Sequence, residues 1–178
     1  MSIWKRVGSI IKSNKEQPQP VKASNPIEDS QVGDIINVDL EEYIVSGKLV
    51  YFDRGFPPHR IVYYLQNGSE ISSLLIEKGR SYECFVCHFV EGALDDPNDV
   101  PTELDVNGEV TYSLENQRTD LVRAEGRTDF RANDEVILWR YFGSEGRYFF
   151  LQWQDGKFVA MEGTKTPAGQ IKFMKGSL

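Results

Sequence analysis

The chain has 178 residues, of which 40% are hydrophobic and 12% aromatic, with a net charge of -7. That is enough apolar material to bury a core, which excludes a disordered chain. The first 22 residues carry five cations against one anion, so +4 sits at the N-terminus and -11 on the remainder. An acidic body repels phosphate backbones, and nucleic acid is excluded as its partner.

The first element is read as a helix over residues 1–13. Ile3, Trp4, Val7, Ile10 and Ile11 share one stripe, with Lys5, Arg6 and Lys12 on the other side. About three turns of helix are marginal alone in water and need a surface to bury their stripe. Trp4 and the isoleucines suit the headgroup and acyl boundary, and Lys5, Arg6 and Lys12 suit anionic lipid, each near-surface cation being worth about 1 kcal/mol. These eight residues are the candidate membrane- or partner-binding site, the alternatives being a groove in a partner or the protein's own β-surface. No apolar run reaches the roughly 20 residues of a membrane span, and the N-terminus lacks the h-region of a secretory signal. The expected location is cytoplasmic, peripheral on the inner face of the membrane.

Residues 14–29 hold Pro18, Pro20 and Pro26 among Lys, Gln, Ser and Asn, and read as a hydrated linker. From there the period becomes two. Strands are expected near 34–38, 42–46, 48–53, 60–66, 70–77 and 81–90, forming a first β-module over 30–90. A second set near 108–114, 119–125, 134–142, 146–154, 157–162 and 170–175 forms a second module over 108–178. Turns are marked by Gly47, Asn67-Gly68, Gly79-Arg80, Asn107-Gly108, Ser144-Glu145-Gly146 and Asp155-Gly156. Residues 91–107, rich in Asp and Glu with Pro97 and Pro101, read as an acidic connecting loop. The fold class is all-β: two related small antiparallel β-modules of meander or small-barrel type, behind an amphipathic helix. An internal echo supports the pairing, since Val32-Gly33-Asp34-Ile35-Ile36 resembles Ala132-Asn133-Asp134-Glu135-Val136, and Tyr64-Leu65-Gln66 resembles Phe150-Leu151-Gln152.

Catalytic and cofactor chemistry finds little to work with. Cys84-Phe85-Val86-Cys87-His88 has the haem-attachment spacing, but on a strand residues three apart point to opposite faces, so the two cysteines cannot grip one porphyrin. A zinc site would need both cysteines, His88 and His59, and only one closely spaced pair exists. Asp95-Asp96-Pro97-Asn98-Asp99 lacks the spacing of an EF-hand loop. There is no G-x-S-x-G elbow or phosphate-binding glycine loop, and His59, after Pro57-Pro58, reads as a lone loop histidine. No catalytic residue, metal ligand or cofactor is expected. Paired carboxylates such as Glu41-Glu42 and Asp134-Glu135 read as solvated turns or edges.

Val32-Gly33-Asp34, Tyr43-Ile44-Val45-Ser46-Gly47-Lys48-Leu49-Val50-Tyr51, Tyr63-Tyr64-Leu65 and Leu74-Leu75-Ile76-Glu77 together resemble the bacterial family called domain of unknown function 4178, over residues 30–175. The resemblance implies small β-rich modules often encoded near phage-shock protein A. It supplies no catalytic residues. Ile3 to Asn14 separately resembles the membrane-sensing N-terminal helix of phage-shock protein A itself. The expected function is therefore a non-enzymatic accessory or adaptor of a bacterial membrane-stress system. Its β-body would bind a protein partner, such as a phage-shock protein A-like protein, and its helix would contact anionic membrane. The alternatives are an enzyme or small-ligand binder with a site at the module junction, lined by Trp139, Tyr141, Trp153 and the acidic loop, or a subunit of a larger assembly that docks through the helix.

Overall fold

The computed structural model describes residues 25–92 and 94–176. The helix read over residues 1–13 lies outside them. The described residues open with a one-turn helix, α1 (Pro26–Asp29), at the end of the segment read as linker. Pro26 opens it and the Asn25 side chain accepts from the Ile27 N–H. Apart from single 3-10 turns at Pro97–Asp99, Ser144–Gly146 and Ala168–Gln170, the other described elements are strands: β1 (Ile35–Val38), β2 (Glu41–Phe52), β3 (Arg60–Asn67), β4 (Glu70–Lys78), β5 (Tyr82–Val90), β6 (Glu103–Val106), β7 (Val110–Gly126), β8 (Glu135–Phe142), β9 (Arg147–Gln154), β10 (Lys157–Thr166) and β11 (Ile171–Met174).

These eleven strands form one antiparallel sheet in the order β11-β1-β2-β3-β4-β5-β10-β9-β8-β7-β6, with a further pairing of β2 to β7. That last pairing bends the sheet back on itself. β2 through β5 and β7 through β10 thus make an eight-stranded ring, and β11, β1 and β6 extend beyond it. Both halves of the chain contribute to one continuous sheet.

Two long strands make the closure possible. β2 pairs with β1 through residues 41–44 and with β7 through 47–52, while its other edge follows β3. β7 likewise pairs with β6 through 110–113, with β2 through 121–126 and with β8 on its other edge. Each carries an irregularity in register against its hairpin partner, between Val45 and Gly47 and between Leu114 and Asn116. A bulge re-aims a strand and increases its twist, which a strand must do to leave one neighbour for another.

This corrects three expectations. Gly47 is no turn between two strands but a point within β2; the strands expected near 108–114 and 119–125 are one strand, β7, over Val110–Gly126; and the segment read as an acidic loop contains β6. Leu104 and Val106 pack inward there while Glu103 and Asp105 face solvent, an alternation too short to stand out among acidic neighbours. The sequence echo also falls on different positions: Val32–Asp34 precedes β1 but Ala132–Asp134 precedes β8, and Tyr64–Gln66 lies in β3 but Phe150–Gln152 in β9.

The sheet buries apolar side chains on both faces. Inside the ring, Leu49, Tyr51, Val62, Leu75, Phe85, Val122, Phe150 and Met161 form the central core. Outside β2 to β5, Ile61, Tyr63, Leu65, Leu74 and Ile76 are covered by Ile27 of α1, Ile36 and Val38 of β1, and Ile171 of β11. Outside β7 to β10, Tyr112, Trp139, Tyr141, Phe149 and Leu151 are covered by Leu94, Val100, Leu104 and Val106. Lys48, buried on the outer face, clamps α1 by donating from Nζ to the carbonyls of Glu28 at 2.6 Å and Ser30 at 2.9 Å.

At the closing seam Gly47 faces Gly126. A Cβ on Gly47 would lie 2.0 Å from the Arg127 carbonyl oxygen, and Gly126 has φ +69° with the Ser46 carbonyl 2.5 Å from its would-be Cβ. Gly47→Ala is therefore expected to destabilise the fold by about 1–3 kcal/mol, as steric intrusion into packed backbone does. Gly169→Ala, with open space at the Cβ position, should stay within about 0.5 kcal/mol. Urea unfolding of the two variants and the parent measures the difference.

Candidate functional site

The inward-facing positions of the ring change character toward one end. Val62 is followed inward by Arg60, Leu75 by Glu77, Phe85 by Glu83, Leu138 by Arg140, and Val122 by Asp120 and Arg118. Period two that reads apolar in the middle of a strand becomes charged at its end. His59, immediately before β3, completes the group.

Glu77 holds two guanidiniums, with Arg60 Nη2 at 2.7 Å from Oε1 and Arg140 Nη1 at 2.6 Å from Oε2. Arg140 also reaches Glu115 through Nε at 2.9 Å, and its guanidinium lies 4.8 Å from the Tyr148 ring centroid and 5.4 Å from that of Phe85. Arg60 is stacked against Phe150 at 5.4 Å and Tyr51 at 5.8 Å. Asp120, wholly buried, takes His59 Nε2 on Oδ2 at 2.7 Å. Arg118 Nε lies 2.9 Å from the same oxygen, as an ion pair whose angle does not make a hydrogen bond. Deeper in the ring the Tyr51 hydroxyl donates to Gln152 Oε1.

Around these residues lies a cleft of about 400 Å³, lined by His59, Arg60 and Glu77 from the first half of the chain and by Glu115, Asn116, Arg118 and Arg140 from the second. The reading of His59 as a lone loop histidine is corrected: it is half-buried against a buried carboxylate. Position after Pro57-Pro58 concealed this, because the partner lies 61 residues on. The one sequence signal available was phase, since Arg60, Glu77, Arg118, Asp120 and Arg140 all fall on the same alternation as core residues.

Burial pushes the His59 imidazole below its ordinary 6.5, outweighing the opposing pull of Asp120. For Glu77, burial works to raise the carboxyl, but the charges of Arg60 and Arg140 and their hydrogen bonds outweigh it and hold the group below its ordinary 4.5. Both shifts act in one direction on stability. As pH falls through 6.5 the unfolded chain takes up the histidine proton before the folded one does, and below 4.5 it does the same for Glu77, so stability declines in each window. Thermal unfolding against pH should show the first decline in the parent chain and a flatter profile there in His59→Gln.

The other sequence candidates are scattered. Ile3, Trp4, Lys5, Arg6, Val7, Ile10, Ile11 and Lys12 lie outside the described residues. Cys87 belongs to the ring interior and Cys84 to the outer core, on the opposite faces that strand geometry demands. Burial raises both thiols, Cys87 to about 12. His88 is exposed, with Nε2 3.7 Å from Glu162. Among the described residues no three His, Cys, Asp or Glu side chains are grouped to hold a metal. Trp139, Tyr141 and Trp153 do meet the 94–106 segment, as one packed cluster in which the Tyr141 hydroxyl donates to the Pro101 carbonyl at 2.7 Å. Glu41, Glu42, Asp134 and Glu135 are all exposed. No helix among the described residues is long and apolar enough to cross a membrane.

A model of a domain of unknown function, DUF4178, matches residues 31–168. The chain belongs to the DUF4178 family. The match begins just before β1 and ends after β10, so it takes in the whole ring and both halves of the charged cleft. No curated protein and no solved structure matches the chain.

Proposed function

We propose that this DUF4178 protein is a non-enzymatic adaptor of a bacterial membrane-stress system. Its β-body binds a protein partner, and residues 3–12 add reversible contact with anionic membrane. The observation that carries the partner half is an apolar surface at the end of the ring away from the charged cleft. Ile44 of β2 and Ile71 of β4, 57% and 51% exposed, stand on either side of Gln66 in one cross-strand row. Ile71 also borders an open groove walled by Tyr64, Phe89 and Phe158. Large apolar side chains left in water beside a groove are what a partner surface requires.

The membrane half is supported by sequence alone: the stripe of Ile3, Trp4, Val7, Ile10 and Ile11 opposite Lys5, Arg6 and Lys12 suits an interfacial helix. The resemblance to a family often encoded near phage-shock protein A makes a phage-shock protein A-like protein the partner to test first.

We further infer that the body is a duplication of one five-stranded unit. β1–β5 and β6–β10 share a pairing pattern of a short strand, a long strand with a register shift, and three strands joined as hairpins. On that reading β3 corresponds to β8 and β4 to β9.

Two measurements test the proposal. Flotation with anionic vesicles should carry the intact chain and leave behind a form lacking residues 1–13; equal flotation of both removes the membrane role. Purified protein should bind a phage-shock protein A-like partner in titration calorimetry, and the double variant Ile44→Asp with Ile71→Asp should lose at least about tenfold in affinity, as loss of a buried hot spot does. Undiminished binding by the double variant would place the partner elsewhere.

A further inference from the structure

The charged cleft has a defect that its own side chains leave unmended. Arg60 is 3% exposed, yet its Nε and Nη1 have no hydrogen-bond partner. Its single ionic contact, through Nη2, is with Glu77, and Glu77 is shared with Arg140. Around the cleft Arg60, Arg118 and Arg140 stand against Glu77, Glu83, Glu115 and Asp120, so what Arg60 lacks is hydrogen-bond acceptors and not countercharge. Glu115 and Glu83 answer Arg140 from the rim, at 2.9 Å and 3.8 Å, and neither pairs with Arg60. The one other buried carboxylate beside the cleft, Asp120, is engaged by His59 and Arg118 through Oδ2, and its Oδ1 has no hydrogen-bond partner and does not reach Arg60. Buried donors without acceptors cost free energy, and those on a cation cost most.

The rest of the setting suits a small anionic guest. The Arg60 guanidinium lies over the rings of Tyr51 and Phe150, 5.8 Å and 5.4 Å from their centroids, which restrains where its donors can stand. Arg60 lines the cleft, and Arg118, with more than a third of its side chain exposed, stands at the same wall as a second guanidinium. The cleft's volume of about 400 Å³ admits a small acid.

We propose that this cleft is a binding site for a small oxyanion, a carboxylate or a phosphate, whose oxygen accepts from the unpartnered N–H groups of Arg60 while Arg118 contributes charge at the entrance. The site is assembled from both halves of the ring. It is independent of the adaptor reading, which concerns the opposite end of the barrel and residues 3–12.

The test is a titration of the full chain with sodium phosphate and, separately, sodium acetate, with sodium chloride controlling for ionic strength, while the arginine Nε–H resonances are followed by NMR. The Arg60 resonance should shift saturably with one or both oxyanions and not with chloride, and the salt that saturates at lower concentration tells phosphate from carboxylate. Arg60→Gln should weaken binding by about tenfold or more, the loss expected for a charge-assisted hydrogen bond. An Arg60 resonance unmoved by either salt overturns the proposal, as does Arg60→Gln binding as tightly as the parent. Should that variant fail to fold, the parent's resonance decides alone, since it reports the same atom.

Discussion

Closure of the sheet at the β2–β7 seam is the constraint on which the remaining architecture rests. Gly47 and Gly126 oppose each other there, and each would drive a Cβ into the neighbouring backbone if it had one. Only because both are glycine can the strands approach closely enough for residues 47–52 to pair with 121–126. Without that pairing the two ends of the ring would be free edges, and the interior face would be an open apolar surface in water. With it, Leu49 and Tyr51 from one half meet Val122 and Phe150 from the other in a shared interior.

The seam also decides where charge can sit. Once the ring is closed, its interior is apolar at mid-height and narrows the choices at the end: a side chain in phase with the core but near a strand terminus must be buried, partnered or both. Arg60, Glu77, Arg118, Asp120 and Arg140 meet this by sharing carboxylates and by laying guanidiniums over Phe85, Tyr148, Tyr51 and Phe150. Shared carboxylates do not satisfy every polar atom, and the mismatch leaves Nε and Nη1 of Arg60, Nε of Arg118 and Oδ1 of Asp120 without hydrogen-bond partners.

Two outer layers flank the ring among the described residues and account for strands that the ring does not need. β1, β11 and α1 cover the apolar exterior of β2 to β5, and β6 with the segment before it covers that of β7 to β10. Lys48 shows how tightly the first cover is fixed: a buried ammonium spends its hydrogen bonds on the carbonyls of Glu28 and Ser30. The acidic residues 91–107 look from sequence like solvent-bound loop because charge dominates their composition. Leu94, Val100, Leu104 and Val106 make them a lid instead.

Sequence by itself determined the all-β class, the approximate limits of most strands and the placement of Cys84 and Cys87 on opposite faces, because period-two alternation and turn residues are local properties. It also determined membership of the DUF4178 family, through motifs that lie along β2, β3 and β4. Tertiary structure alone decided that Gly47 is a seam and not a turn, that β7 runs unbroken, and that His59 meets Asp120 and Arg60 meets Glu77 at one end of a closed ring. Those facts depend on which strands become neighbours across the seam. That choice is set by long-range packing and backbone approach, which no local pattern of residues records.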